Sequence, residues 1–340
     1  MQRAEEHRLA CAASFEIEGF GLRFEAAADD LLGPVRHLFR RFRAASTPAD
    51  AWTVRMERVD WHRLPQASPG LQPIWAGDVI PGIRGVNSVG PGRRRIELID
   101  RGRLDVDLRR RKASIRVPLE DLRPCVNYFV MPLLCEALMA AGRCVVHAAC
   151  LSAPVRGGRR SVMILAESGT GKSTTALALT GAGWQLMGDD ITVIRRTADG
   201  VRATGFPREC HVRKPTLRLL PWLNALNLAP AEVAGTFNLA LEDLGDRACS
   251  AVPPALEPAL LICLDRPNDS AHRLTPIDRA EALVHVAEEN VQPIEGRDDE
   301  SAKRAFATLA DLVQQTPAVR LSAGPQVETL ASFLTESLSL

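Results

Sequence analysis

Aromatic residues are scarce in this chain. They make up 5% of its 340 residues, with one tyrosine, Tyr128. A surface that stacks nucleobases needs several rings, so this scarcity argues against nucleic-acid binding. Net charge is nearly absent as well: 42 Lys and Arg face 41 Asp and Glu, a formal +1. No general attraction to nucleic acid or to an anionic membrane follows from that balance. No apolar run reaches the length of a membrane span. Charged residues interrupt positions 1–19, so no secretory core is legible there. The eight cysteines, at 11, 125, 135, 144, 150, 210, 249 and 263, contain no Cys-x-x-Cys. Their scatter suits neither a zinc site nor a disulfide framework, and they read as small buried residues of a reducing, cytoplasmic protein. The Asn-Lys-x-Asp guanine signature and the Leu-Ser-Gly-Gly transporter signature are both missing. What remains is an ordinary globular composition, 46% hydrophobic and 24% charged, long enough for two domains.

The informative stretch is Ser161–Arg196. Val162, Met163, Ile164 and Leu165 read as a buried strand. The turn Ala166–Ser173 fits the P-loop pattern, with alanine where glycine is commonest, and Thr174–Thr180 continues it as a helix closed by Gly181 and Gly183. Glycines at 169 and 171 let backbone N–H groups turn inward around phosphate oxygens, and the helix start points its positive end at them. Glu167, Ser168, Gly169, Thr170, Gly171, Lys172, Ser173 and Thr174 are therefore the candidate nucleotide cradle. Lys172 reaches the β- and γ-phosphates of ATP, and the Ser173 hydroxyl suits Mg²⁺, a hard ion that prefers oxygen. Asp189 and Asp190 follow Lys172 by 17 and 18 residues. One helix and one short strand fill that gap, so both carboxylates return to the phosphate end of the sheet. One can hold the metal with Ser173, for which Asp189 is the candidate, while the other takes a proton from an attacking hydroxyl. His147, in the apolar run Cys144–Cys150, reads as the third member, on a buried strand beside the P-loop strand. An imidazole there can hydrogen-bond an aspartate and tune its basicity. Gly157–Gly158 marks the hairpin between those strands.

The strand with His147, the run AESGTGKST and the run LMGDD, in that order and spacing, resemble the HPr kinase/phosphorylase family. The resemblance covers Val145–Ile194 and extends weakly over the C-terminal third. It implies an α/β P-loop kinase core of the HPr kinase/phosphoenolpyruvate carboxykinase type, a mixed sheet with helices. It implies ATP- and Mg²⁺-dependent phosphorylation of a serine hydroxyl on a protein or peptide, and a homo-oligomer, since members of the family assemble into rings. It assigns Lys172 to phosphate, Ser173 to Mg²⁺ and Asp190 to the catalytic base, with Asp189 and His147 in support. The family's glycine-rich acidic segment after the Asp pair is replaced here by basic, proline-flanked Thr204–Pro215, which argues against the reverse, phosphorylase reaction. Arg208, Arg213 and Lys214 in that segment are candidates for clamping phosphate or the acceptor.

Residues 1–118 do not resemble the N-terminal domain of that family. They read as a separate α+β, strand-rich domain, with a helix over Asp30–Arg43, strands at Trp52–Val59 and Ile96–Val117, and a loop over Leu64–Gly92. The basic residues Arg93–Arg95, Arg101, Arg103 and Arg109–Lys112 make this half locally basic, either to recognise an acidic peptide or as a solvated strand face partly neutralised by Asp105 and Asp107. The division is drawn at 118/119, before a helix over Leu119–Ala141 that Pro124 and Pro132 divide, so that residues 119–340 form the kinase domain. Ala259–Leu264 reads as a strand ending at Asp265–Arg266, with helices over 278–291, 299–314 and 325–338. The expectation is a serine or threonine kinase acting on a peptide or protein, with no nucleic-acid or membrane partner. A small-molecule kinase on the same scaffold and a nucleotide-gated binding module without catalysis both stay open.

Overall fold

The computed structural model describes residues 11–17, 19–44, 46–47, 50–60, 69–80, 83–118, 126–231, 235–249, 254–266, 270–289 and 299–338. The architecture is mixed α/β, in two units: residues 1–142 with 293–303, and residues 143–292 with 304–340. The seven described cysteines are all free. No helix among the described residues is long and apolar enough to cross a membrane.

The first unit is built on one eight-stranded sheet. Its strands are β1 (Cys11–Ile17), β2 (Phe20–Ala26), β3 (Trp52–Arg58), β4 (Gln72–Ile80), β5 (Ile83–Gly90), β6 (Arg93–Leu98), β7 (Gly102–Asp107) and β8 (Lys112–Val117). The spatial order is β1-β2-β3-β8-β7-β6-β5-β4. Alternation sets the faces: Trp52, Val54 and Met56 are buried while Arg55 between them is exposed. Each such burial contributes about 1.5–3 kcal/mol. The helix expected over Asp30–Arg43 is broken into a 3-10 turn Asp29–Leu32, a short α1 (Gly33–Leu38) and a second 3-10 turn Arg40–Phe42. Pro34, which has no N–H to bond the preceding turn, restarts the helix there. The apolar face survives the break, and Phe39 packs on Phe15 with ring centroids 5.0 Å apart.

Within the loop expected over Leu64–Gly92, β4 and β5 instead pair antiparallel; positions 64–68 and 81–82 lie outside the described residues. Pro73 is tolerated because β4 is an edge strand, where a missing N–H need not pair, and the register shifts beside it. Several of the arginines are spent on local acids. Arg95 bonds Asp105 at 2.6 Å, Arg116 bonds Asp105 at 2.9 Å, and Arg103 bonds Glu97 at 3.0 Å. The helix expected from Leu119 is described from Val126, as a π turn Val126–Val130 leading into α2 (Met131–Ala140); Pro124 and Cys125 lie outside the described residues. Pro132 stands in the first turn of α2, where no intrahelical donor is needed. Buried Glu136 of α2 pairs with buried Arg94 of β6. The helix thus belongs to the first unit, and the division falls after Gly142 rather than before residue 119.

The second unit runs β9 (Arg143–Val146), β10 (Ala148–Val155), β11 (Gly158–Leu165), α3 (Lys172–Gly181), β12 (Gln185–Gly188), β13 (Thr192–Thr197), β14 (Gly200–Gly205), β15 (Cys210–Arg213), α4 (Lys214–Leu219), β16 (Leu228–Pro230), β17 (Thr236–Leu239), β18 (Pro258–Leu264), β19 (Arg273–Pro276), α5 (Arg279–Glu288), α6 (Asp299–Gln315, in this unit from Arg304), β20 (Ala318–Ser322) and α7 (Leu330–Leu338). Its main sheet has the order β12-β10-β11-β18-β20-β19, with β11, β18 and β20 parallel. One face buries Leu151, Ile164 and Ile262 under Leu177 and Leu179 of α3 and Leu334 of α7. The other buries Met163, Leu165 and Leu261 under Val286 of α5 and Leu312 of α6. Both faces of the parallel strands are covered, which is why β11 and β18 read as unbroken apolar runs rather than alternating ones.

A second sheet, β14-β13-β9, leaves the first at a fork. Neighbours β10 and β12 belong to the six-stranded sheet, while β9 and β13, their continuations, pair with each other in the three-stranded one. The chain crosses the fork twice, at His147 and at Asp189–Ile191. The Thr192 hydroxyl donates to the Ala148 carbonyl at 3.0 Å across it. Gly188 and Gly205 meet backbone to backbone beside it, and a Cβ on either would collide with the other strand.

Candidate active site

The turn after β11 takes the shape its glycines allow. Gly169 and Gly171 have φ of +86° and +114°, a left-handed backbone that residues with a Cβ rarely adopt. Gly171 immediately precedes the first residue of α3, so the free N–H groups of the first helical turn face the same side as the loop. Glu167, Ser168 and Gly169 form the exposed tip of the turn. Thr170 N–H closes it onto the Glu167 carbonyl at 3.2 Å. Thr174 Oγ1 lies 2.8 Å from Thr216 Oγ1 of α4.

Lys172 and Ser173 open α3 and both reach the fork. The Lys172 ammonium, 7% exposed, pairs with Asp190 Oδ1 and stands 3.8 Å from Asp189 Oδ1. Ser173 Oγ donates to Asp189 Oδ2 at 2.6 Å. The acids are adjacent but differ in surroundings. Asp189 is buried, and that burial, against the nearby Lys172 charge, pushes its carboxyl above the usual range. Asp190 is partly exposed. Burial works against its charge too, but the His147 hydrogen bond and the Lys172 ammonium together hold it well below the usual carboxylate range, and the Arg208 charge adds to them. Asp190 also has a left-handed backbone, φ +67°, steadied by its N–H donating to Asp189 Oδ1 at 3.0 Å. Strain of this kind in a residue other than glycine gathers at functional sites.

His147 is not on a buried strand, as its apolar neighbours suggested. It occupies the break between β9 and β10, where its ring is 42% exposed and ladder bonding has stopped. Nε2 faces Asp190 Oδ1 at 3.4 Å, and Nδ1 meets Glu289 Oε2 at 2.7 Å. The Asp190 hydrogen bond raises its pKa; burial and Lys172 oppose that, and Glu289 reinforces it. Cys144 and Cys150 take no part: Cys144 Sγ donates to the Ala305 carbonyl at 3.3 Å, and Cys150 Sγ turns to the Met187 sulfur at 3.6 Å.

Most of the residues singled out from sequence converge. Lys172, Ser173, Asp189, Asp190 and His147 form one connected set. Arg208 is near enough for its charge to act on Asp190. Arg213 and Lys214 are exposed at the β15–α4 junction, and among the described residues no bond joins them to the acids. Glu289, next to the end of α5, was not foreseen. It lies 142 residues from His147, and nothing local to Glu289 distinguishes it from the Glu288 beside it. A cavity of about 320 Å³ adjoins the turn, bordered by Glu167, Thr170, Asp265, Glu288, Glu289 and Arg320 among others.

The residues fit Mg²⁺ and a polyphosphate. Ser173 and Asp189 present two hard oxygens side by side, and Mg²⁺ bound with phosphates takes only one or two ligands from protein. A cation there would also relieve the burial of the Asp189 charge. The left-handed glycines leave the turn free of side chains at 169 and 171, as a phosphate cradle requires.

No protein family matches the chain, and no curated protein matches it. Among solved structures, the Hpr(Ser) kinase/phosphatase from Coxiella burnetii is similar over 57% of this chain and 93% of its own, with 17% identity and a TM-score of 0.27. At that level the likeness carries no argument about what this chain does.

Proposed function

We propose that the chain is an ATP-dependent kinase that transfers the γ-phosphate to a serine or threonine hydroxyl of a peptide or protein, on a P-loop core of the HPr kinase type. The observation that carries the reading is the meeting of Lys172, Ser173, Asp189, Asp190 and His147 at one glycine-rich turn. Ser173 and Asp189 would hold Mg²⁺, which would supply charge neutralisation for the phosphates. Lys172 binds the β- and γ-phosphates, exchanging Asp190 for them. That exchange frees Asp190 to face the acceptor. It also lifts the Lys172 bond from the Asp190 carboxylate, leaving that oxygen open to the acceptor's proton. Asp190 then takes the hydroxyl proton as the acceptor oxygen attacks in line, and backbone N–H groups of the turn hold the phosphates.

The test is transfer of labelled γ-phosphate to serine-bearing peptides by the purified chain. Asp190→Asn abolishes transfer and retains ATP binding. Undiminished transfer by that variant rules out Asp190 as the base. Transfer to a metabolite with none to any peptide replaces the peptide acceptor with a small molecule, and ATP binding without transfer by the wild type sinks the kinase reading.

A further inference from the structure

Glu289 occupies a place that local electrostatics disfavours. Its N–H donates into the last turn of α5, to the His285 carbonyl at 3.2 Å, so its carboxylate and that of Glu288 sit at the negative end of the helix. Acids are destabilising there, and a residue that breaks a local rule needs a partner elsewhere. The Glu289 side chain is 18% exposed and its Oε2 lies 2.7 Å from His147 Nδ1. The charged groups facing His147 are Asp190 from the fork, Lys172 from α3 and Glu289 from α5. Glu289 itself borders the cavity shared with His285, Glu288, Asp265, Arg266 and Arg320, which gives it a route to water.

We propose that Glu289 is a positioning residue that fixes the His147 tautomer and completes a proton path from Asp190 through His147. The inference rests on the kinase reading above. With Nδ1–H donated to Glu289, the neutral imidazole turns its Nε2 lone pair to Asp190. As the acceptor O–H bond breaks, its oxygen forms the new bond to phosphorus. The ADP oxygen leaves with the electron pair of the broken P–O bond. The proton passes to Asp190 Oδ1 and then to His147 Nε2. The imidazolium so formed is held between two carboxylates until it loses the proton to water. The path is short: Nε2 stands 3.4 Å from Asp190 Oδ1, and Nδ1 stands 2.7 Å from Glu289 Oε2.

The experiment is a ¹⁵N NMR titration of the His147 ring in the full chain, read beside the pH profile of phosphotransfer. The signal is assigned by its loss in His147→Asn, among the seven histidines. In the wild type the neutral ring carries its proton on Nδ1. Glu289→Gln lowers the His147 pKa by about one unit, because an anion that favoured the imidazolium is gone. The acid limb of kcat/KM moves to lower pH by the same amount, while Glu288→Gln moves neither. Should the glutamine variant fail to fold, Glu289→Asp, which keeps the charge and withdraws the carboxylate, gives a smaller shift in the same direction. An unchanged titration, or a neutral ring protonated on Nε2, overturns the proposal. So does a shifted titration with a fixed acid limb, which places Glu289 beside His147 but off the path. Failure of the kinase reading shows separately, as absence of transfer by the wild type.

Discussion

Lys172→Met, examined without nucleotide, isolates what one buried cation does for two acids. The substitution keeps the length and apolar stem of the side chain and removes the charge. Lys172 is 7% exposed and its Nζ lies 3.8 Å from Asp189 Oδ1, in addition to its pair with Asp190. At that distance one pair is worth about 4 kcal/mol in an effective dielectric of about 20. Removing one partner of a buried pair is destabilising by about 3–5 kcal/mol, because the remaining charge is stranded. The loss depends on pH. Burial already holds the Asp189 pKa above its unfolded value, so its ionisation opposes folding increasingly as pH rises through that range. Without Lys172 its pKa climbs further and the opposition grows. Asp190 is held low, so its contribution is complete above the usual carboxylate range and is constant between pH 5 and pH 8. The gap between variant and wild type therefore widens from pH 5 to pH 8. For a unit of this size each kcal/mol moves the thermal midpoint by about 2–4 °C, so the expected fall at pH 8 is roughly 10 °C. Scanning calorimetry of both proteins across that range reads it. A gap that is flat or that narrows with pH would refute the claim that the Lys172 charge restrains the rise of the Asp189 pKa.

Gly171→Ala places a Cβ on a backbone at φ +114°, which costs on the order of 1–3 kcal/mol and distorts the cradle. A lowered unfolding midpoint together with loss of the nucleotide-induced stabilisation is expected, and a variant that binds ATP normally would show the left-handed turn to be dispensable. In the first unit, Glu136→Ala removes the carboxylate that neutralises the buried Arg94 guanidinium, which keeps its bond to Asn87 Oδ1 at 3.1 Å, and lowers stability by about 3–5 kcal/mol. The apolar pair Arg94→Met with Glu136→Leu restores most of that loss in denaturant unfolding; a single variant within 1 kcal/mol of wild type would mean that solvent already reaches the pair.

Local chemistry made the turn and its helix legible. The glycines, the lysine and the apolar strand all lie within a few residues, and each has a physical reason to be where it is. Asp189 and Asp190 were legible for the same reason, since one helix and one strand can only return the chain to the end it left. His147 was half legible: its neighbourhood was, but not the break in the strand, because Val146 and Ala148 are as apolar as residues inside a continuous strand. Glu289 was invisible, since its role depends on α5 arriving from far along the chain. The β4–β5 pairing was missed because Pro73, Gly77 and Gly90 outweighed the alternation around them, and edge strands tolerate such residues. Asp105 was legible as a partial counter-charge to the arginines of β6–β8, but not its pairing with both Arg95 and Arg116, nor that of Glu97 with Arg103.

The fork has a consequence for how the site is encoded. His147 and the acid pair are 42 and 43 positions apart, yet no linker measures the distance between them. It is measured by two ladders, Cys150 opposite Gly188 on one side and Val146 opposite Thr192 on the other. Material added at the far hairpin, around Arg156 and Gly157, leaves both ladders in step. A single residue gained or lost within β9 or β12 throws them out of phase and turns imidazole and carboxylate to opposite sides of the weave. Evolution can rebuild the rim of such a protein freely while its arithmetic at the crossing stays untouchable.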